Sequence, residues 1–249
     1  MDERAGAWQK LQSAQGHIEA FEERLKTWLR DKSYHLVRDP NTPALQKAML
    51  LRSEPIEPSM LCIVGDAVHN LRSALDHLAY SVAIANGAAS GQLKKVSFTA
   101  RRDEGCFRKD IRKEIAALGD DWVAFVEDLQ PYLNGRGSDL YAICQLDNID
   151  KHRNLLLLVT VADKYRLDST STTMSMTVLE RSLPVEDGVR LVADADSRTF
   201  TQVRVSFGES DCGLDADAWV QDSLRALAFS VKKTLLLAEL RADTLFKAH

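Results

Sequence analysis

Apolar positions recur at helical spacing over most of this chain, and the pattern changes character twice. From residue 3 to 30, Trp8, Leu11, Ile18, Phe21 and Leu25 return at three-, four- and seven-residue steps, with Glu and Lys between them. That period predicts a long amphipathic helix. "YHLVRDPNTPALQKAMLLR" breaks it. DPNTP is a turn signal whose prolines forbid helix continuation. Its flanks are expected to pair as a β-hairpin, with helix over Ala44–Leu51 as the alternative. Ser59 is the expected N-cap of a helix from about Met60 to Asn86, closed by Gly87. "KKVSF" reads as a short strand. Further helices are expected over 103–118, 121–130 and 140–160.

The second change comes at 165–208, rich in Thr, Val and Ser, where apolar and polar residues alternate between the turn signals VEDGV and DADSR. This reads as an antiparallel β-meander of three or four strands. Asp215 then caps a last long helix with Trp219, Leu224, Leu227, Val231, Leu235 and Leu240 inward. The expected fold is mainly α, of the α+β kind. A bundle of five to six helices (1–160 and 214–249) carries an N-terminal β-hairpin and an antiparallel β-meander (165–208) inserted before the last helix. No repeat or long linker divides it, so residues 1–249 are expected to form one domain.

Composition adds bounds. Hydrophobic content of 45% and charged content of 27% are ordinary for a soluble domain. A net charge of -4 argues against a broad nucleic-acid coat but leaves room for a local basic site, such as Lys151-His152-Arg153. The longest apolar run, Leu155–Ala162, interrupted only by Thr160, is far short of the roughly 20 residues that span a bilayer. MDERAGAW lacks the layout of a signal peptide. Cys62, Cys106, Cys144 and Cys212 form no CxxC pair. A cytoplasmic protein without membrane contact is expected.

The chemistry concentrates on "GDAVHNLRSALDHLAY", residues 65–80. At about 100° per residue, Leu61, Val64, Val68, Leu71, Leu75, Leu78 and Val82 share one side with other apolar residues. Asp66, His69, Asn70, Arg72, Ser73, Asp76 and His77 share the other. That stripe contains no Lys or Glu, the usual residues of a solvated helix face. Two readings follow: an internal hydrogen-bond network joining helices, or a site. Arg72 and Asp76 are four apart and can pair. A second cluster lies in "LYAICQLDNIDKHRNLLLL", with Tyr141, Gln145, Asn148 and His152 on one side and Asp147, Asp150, Lys151 and Asn154 on another. The His152 side is the one expected to face Arg72 or Asp76. DKHR also reads as a charged helix end, with cations at the C-terminal dipole.

These segments, with "LQPYL" between them, resemble a group of bacterial proteins of layout GDxxHNLRSALDH…QPY…DKHR over roughly residues 60–160. More loosely, the chain is similar to the HEPN (higher eukaryotes and prokaryotes nucleotide-binding) superfamily, helical bundles that include metal-independent ribonucleases and RNA-targeting toxins. Their signature is Arg, four to six residues, then His. Arg72 and His77 match it, as do Arg30 and His35, and the polar surroundings favour the former. The resemblance implies a protein of a defence or toxin type that binds or cleaves RNA without metal or other cofactor. His77 would be acid or base, Arg72 the phosphate clamp, Asp76 an orienting carboxylate and His69 a further proton carrier. Asn70, Ser73, Asn148, Lys151, His152 and Arg153 would contact substrate. It also implies a homodimer with the site between two copies. The rival reading is a non-enzymatic interaction or structural protein whose polar face is internal. His69, Asp76, His77 and His152 are acceptable metal ligands, but no HExxH or paired acidic motif accompanies them, and no metal is expected. No phosphate-binding glycine loop or GxSxG elbow is present.

Overall fold

A computed structural model describes residues 3–31, 34–38, 47–53, 56–114, 118–152, 157–169, 172–174, 183–184, 189–193, 198–208, 212–215 and 218–246. Among them are eight helices: α1 (Glu3–Arg30), α2 (Pro58–Ala85), α3 (Ser90–Leu93), α4 (Glu104–Glu114), α5 (Asp120–Leu129), α6 (Ser138–His152), α7 (Val220–Leu240) and α8 (Ala242–Leu245). The protein is mainly helical, as its apolar periodicity requires.

Helix α2 is the centre of the packing. It lies along α1 and also meets α6 and α7. Its face of Val64, Val68, Leu71, Leu75, Ala79 and Val82 is fully enclosed. Leu11, Phe21 and Leu25 of α1 and Leu224, Leu227 and Val231 of α7 complete that core. The α1–α2 pair runs antiparallel: Arg24 Nη1 donates to Ser59 Oγ at 2.8 Å at one end, and Lys10 Nζ donates to Asn70 Oδ1 at 3.3 Å towards the other. α7 is antiparallel to α1 as well, joined by Arg225–Glu22 at 2.6 Å and by Trp8 Nε1 donating to Glu239 Oε1 at 2.7 Å. The tryptophans fall where apolar faces demand them, with Trp122 and Trp28 buried.

Several boundaries differ from expectation. α2 starts two residues earlier, with Glu57 at the N-cap and Pro58 at N1; the Glu57 side chain caps no backbone N–H and accepts from Ser59 Oγ at 3.2 Å. A proline at N1 supplies the helical φ without losing a needed N–H, and Ser59 instead accepts from Arg24. KKVSF is not a strand: residues 94–98 are turn and irregular backbone, because Phe98 spends both its backbone groups on α2 rather than on a sheet. α6 ends at His152, and a strand runs over Leu157–Ser169. Val159, Thr160 and Val161 are β-branched and favour extended backbone. α7 begins at Val220 with Trp219 at the N-cap, not Asp215.

Strands are also assigned at Tyr34–Arg38, Lys47–Ser53, Thr172–Met174, Leu183–Pro184, Val189–Ala193 and Arg198–Phe207. Of all strand side chains only those of Leu157 and 205–207 are described, and these are buried. The turn of the expected hairpin (39–46), and the turns and most side chains of the expected meander, lie outside the described residues. No helix among the described residues is long and apolar enough to cross a membrane.

Leu71 sits in the middle of this core with no exposed surface. Leu71→Ala is expected to cost about 2–5 kcal/mol through lost burial and a residual cavity, read as a lower midpoint in urea unfolding followed by circular dichroism.

Candidate functional site

The polar stripe of α2 divides between two neighbours. One edge faces α1. There Asn70 Nδ2 donates to Asp66 O at 2.8 Å, and its Oδ1 accepts from Lys10. His77 packs on Gly6 of α1: a Cβ added at Gly6 would stand 2.8 Å from His77 Nδ1. Ser73 lies between these two on the same side of the helix and is half-buried.

The other edge faces α6 and the segment before α4. Arg72, 14% exposed, donates from Nε to Asp76 Oδ2 at 3.1 Å and from Nη2 to Phe98 O at 2.8 Å. Nη2 also lies 3.0 Å from Asp76 Oδ1, and Nη1 donates to Cys144 Sγ. Phe98 N returns a bond to Asp76 Oδ1 at 2.7 Å. One guanidinium therefore ties α2, α6 and the Phe98 backbone together. Burial pushes the Cys144 thiol up to about 11, with the nearby Arg72 pulling the other way. The sulfur is a neutral acceptor at pH 7, not a nucleophile.

One turn further along the same seam, His69 Nδ1 meets Asp147 Oδ1 at 2.9 Å, and Lys151 Nζ donates to Asp147 Oδ2 at 2.5 Å. The side chain of Asp147 is 3% exposed, while those of His69 and Lys151 are 52% and 50% exposed. A buried carboxylate thus holds a half-open imidazole by one nitrogen and carries an ammonium on its other oxygen. The seam closes at Gly65, where α6 comes so near that an added Cβ would lie 2.6 Å from Asp150 Oδ2. Contacts at 72–144, 69–147 and 65–150 make α2 and α6 antiparallel neighbours.

Arg72 and His77 are consequently not brought together. Residues five apart on a helix diverge by about 140°, and here they serve different walls. Arg72 with Asp76, and His69 with Lys151 through Asp147, are the pairs that form. Asn148 and His152 are exposed; the α6 side that meets Arg72 is the one bearing Cys144, with Asp147 a turn beyond, not the His152 side. Arg153 lies outside the described residues. Asp147 stands in the second polar cluster of the sequence but was given no role there. Its one signal was the four-residue step to Lys151 on a helix with apolar Ile143 and Leu146 beside it. Among the described residues no three His, Cys, Asp or Glu side chains are grouped closely enough to hold a metal ion. Comparison of the chain with protein-family models, curated proteins and solved structures finds no match.

Two outcomes check this division. Arg72→Met leaves the Phe98 carbonyl unpaired and the partly exposed Asp76 carboxylate without its cation, and is expected to lower stability by about 1–3 kcal/mol, measured by urea unfolding. Cys62 and Cys106 are exposed while Cys144 and Cys212 are buried. Iodoacetamide is therefore expected to label the first two in the native protein and all four in urea, counted by mass spectrometry.

Proposed function

We propose that the open strip around His69 binds RNA and cleaves it without a metal, and that this activity serves a defence or toxin role. The supporting observation is the His69–Asp147 pair. With Nδ1–H donating to that buried carboxylate, the tautomer and ring orientation would be fixed and Nε2 of the half-exposed ring would be left to accept a proton, the arrangement of an oriented general base. Nε2 would take the proton of an RNA 2′-hydroxyl. The 2′-oxygen then attacks the adjacent phosphorus, the bond to the 5′-oxygen breaks, and that oxygen takes a proton from water. Lys151 stands beside His69 as the cation for the phosphate oxygens, and its charge offsets that of Asp147. Relative to the HEPN signature, the proton-transfer role moves from His77 to His69. Arg72 and Asp76 become the frame that positions α6.

A second reading is favoured by a separate observation: Arg72 is nearly enclosed, and its Nε and both Nη nitrogens have partners inside the chain. On that reading the whole stripe is an internal network in a non-enzymatic interaction protein.

The two readings part at His69, which is half exposed and replaceable. Labelled single-stranded RNA incubated with the protein in EDTA is expected to be cut, ending in a cyclic phosphate. His69→Gln is expected to slow cutting by about 100-fold or more with an unchanged melting temperature. No cutting by the unmodified protein, or equal cutting by His69→Gln, would leave the structural reading.

A further inference from the structure

Three of the five large apolar side chains exposed among the described residues lie on α7: Phe229 at 67%, Leu236 at 44% and Leu240 at 83%. Their seven- and four-residue steps place them within about 20° of one line. They form a straight stripe about 16 Å long on the face opposite Leu224, Leu227, Val231 and Leu235, which fill the core. Beside the stripe, α1 and α7 leave a groove of two adjoining cavities, about 860 and 530 Å³, that share Gln15 and Lys232 as lining residues. Its ends are the Arg225–Glu22 and Trp8–Glu239 contacts. Exposed apolar residues scattered singly need no explanation, but an aligned row above a groove marks an interface.

We infer that this face pairs with the same face of a second copy of the chain, α7 against α7 in antiparallel orientation about a two-fold axis. The charges along the helix select that occupant. Lys232 and Lys233 lie towards the first half of the stripe, and neither has an ion-pair partner among the described residues. Glu239 lies towards the second half. A two-fold axis that sets Phe229 against Leu240 of the other copy brings Lys232 within about 3 Å, along the axis, of the level of the other copy's Glu239, and on the same side of the seam. The symmetry makes that pairing twice. The same axis stacks the two α1–α7 grooves, where Gln9, Gln12 and Gln15 offer uncharged amides to one another. Lys232 in one half and Glu239 in the other meet across the seam only when the second copy is turned end for end. Because the core face of α7 packs on the α2 side, the pairing leaves both His69 strips on the outside. Each copy then keeps a whole site of its own, unlike the composite site that the HEPN resemblance implies.

Multi-angle light scattering and sedimentation of the full chain at 100 µM test this. The unmodified protein is expected at twice the chain mass. Leu236→Asp, at an exposed position, is expected to give the single-chain mass with unchanged helicity and melting temperature. Lys232→Glu is expected to weaken association at least tenfold, and Lys232→Glu combined with Glu239→Lys to recover it. A single-chain mass for the unmodified protein overturns the inference, whatever other partner the stripe takes. So does a dimer that Leu236→Asp leaves intact. Neither result depends on RNA cleavage.

Discussion

A guanidinium taken out of water must find acceptors inside the protein, and Arg72 finds them on three segments at once. Asp76 is on its own helix, Cys144 is on α6, and the Phe98 carbonyl belongs to the irregular segment before α4. Moving any of the three would leave an N–H or a carboxylate unpaired in a nearly closed space, at a cost of a few kcal/mol. The position of α6 against α2 is therefore narrowly defined. Asp147, one turn past Cys144, inherits that position and meets His69 at hydrogen-bond distance. The geometry of the open half of the seam is set by the closed half.

The segments GDAVHNLRSALDH, LQPYL and DKHR are far apart in the chain but adjacent in this arrangement. GDAVHNLRSALDH supplies Arg72 and Asp76, which hold Phe98. A few residues on, Arg101 N donates to Pro131 O at 3.1 Å, and Leu133 N donates to Arg102 O at 3.1 Å, so the turn in LQPYL grips the same segment. That turn exists because Gln130 adopts a left-handed conformation, φ 54, and ends α5 ahead of Pro131. The start of DKHR supplies Asp150 and Lys151 at the far end of the α2–α6 seam. Most of the motif residues thus join elements to one another, and a smaller subset reaches solvent.

This division explains what could be read from residues alone. The helical body was legible because burial imposes a 3.6-residue period, and α1, α2 and α7 show it over many turns. The polar stripe was legible for the same reason, as the complement of the apolar face. Its split into two edges was not, since that depends on which neighbour packs on each side, and spacing within one helix does not carry that information. Spacing from Arg72 put His77 ahead of His69; the partner elements, Gly6 on one side and Asp147 on the other, reverse that order. The end of α6 was misplaced because Leu155 to Val161 is apolar at every position but Thr160, and such a run fits a buried helix or a buried strand equally well. KKVSF misled in the opposite way. Its alternation suited a strand, but Asp76 and Arg72 claim the backbone groups of Phe98 that a sheet would have used.

The chemistry of the open half rests on Asp147 having two partners rather than one. A buried carboxylate without a counter-charge is costly, and a single imidazole would occupy only one of the two oxygens of Asp147. Lys151 supplies the counter-charge on the second oxygen. The other oxygen holds His69 by Nδ1 at 2.9 Å, which fixes where the half-exposed ring stands. Lys151 and His69 therefore act as a unit. The ammonium and the imidazole share one buried acid, and the four-residue step from Asp147 to Lys151 on α6 is what lets one helix provide both the acid and its counter-ion.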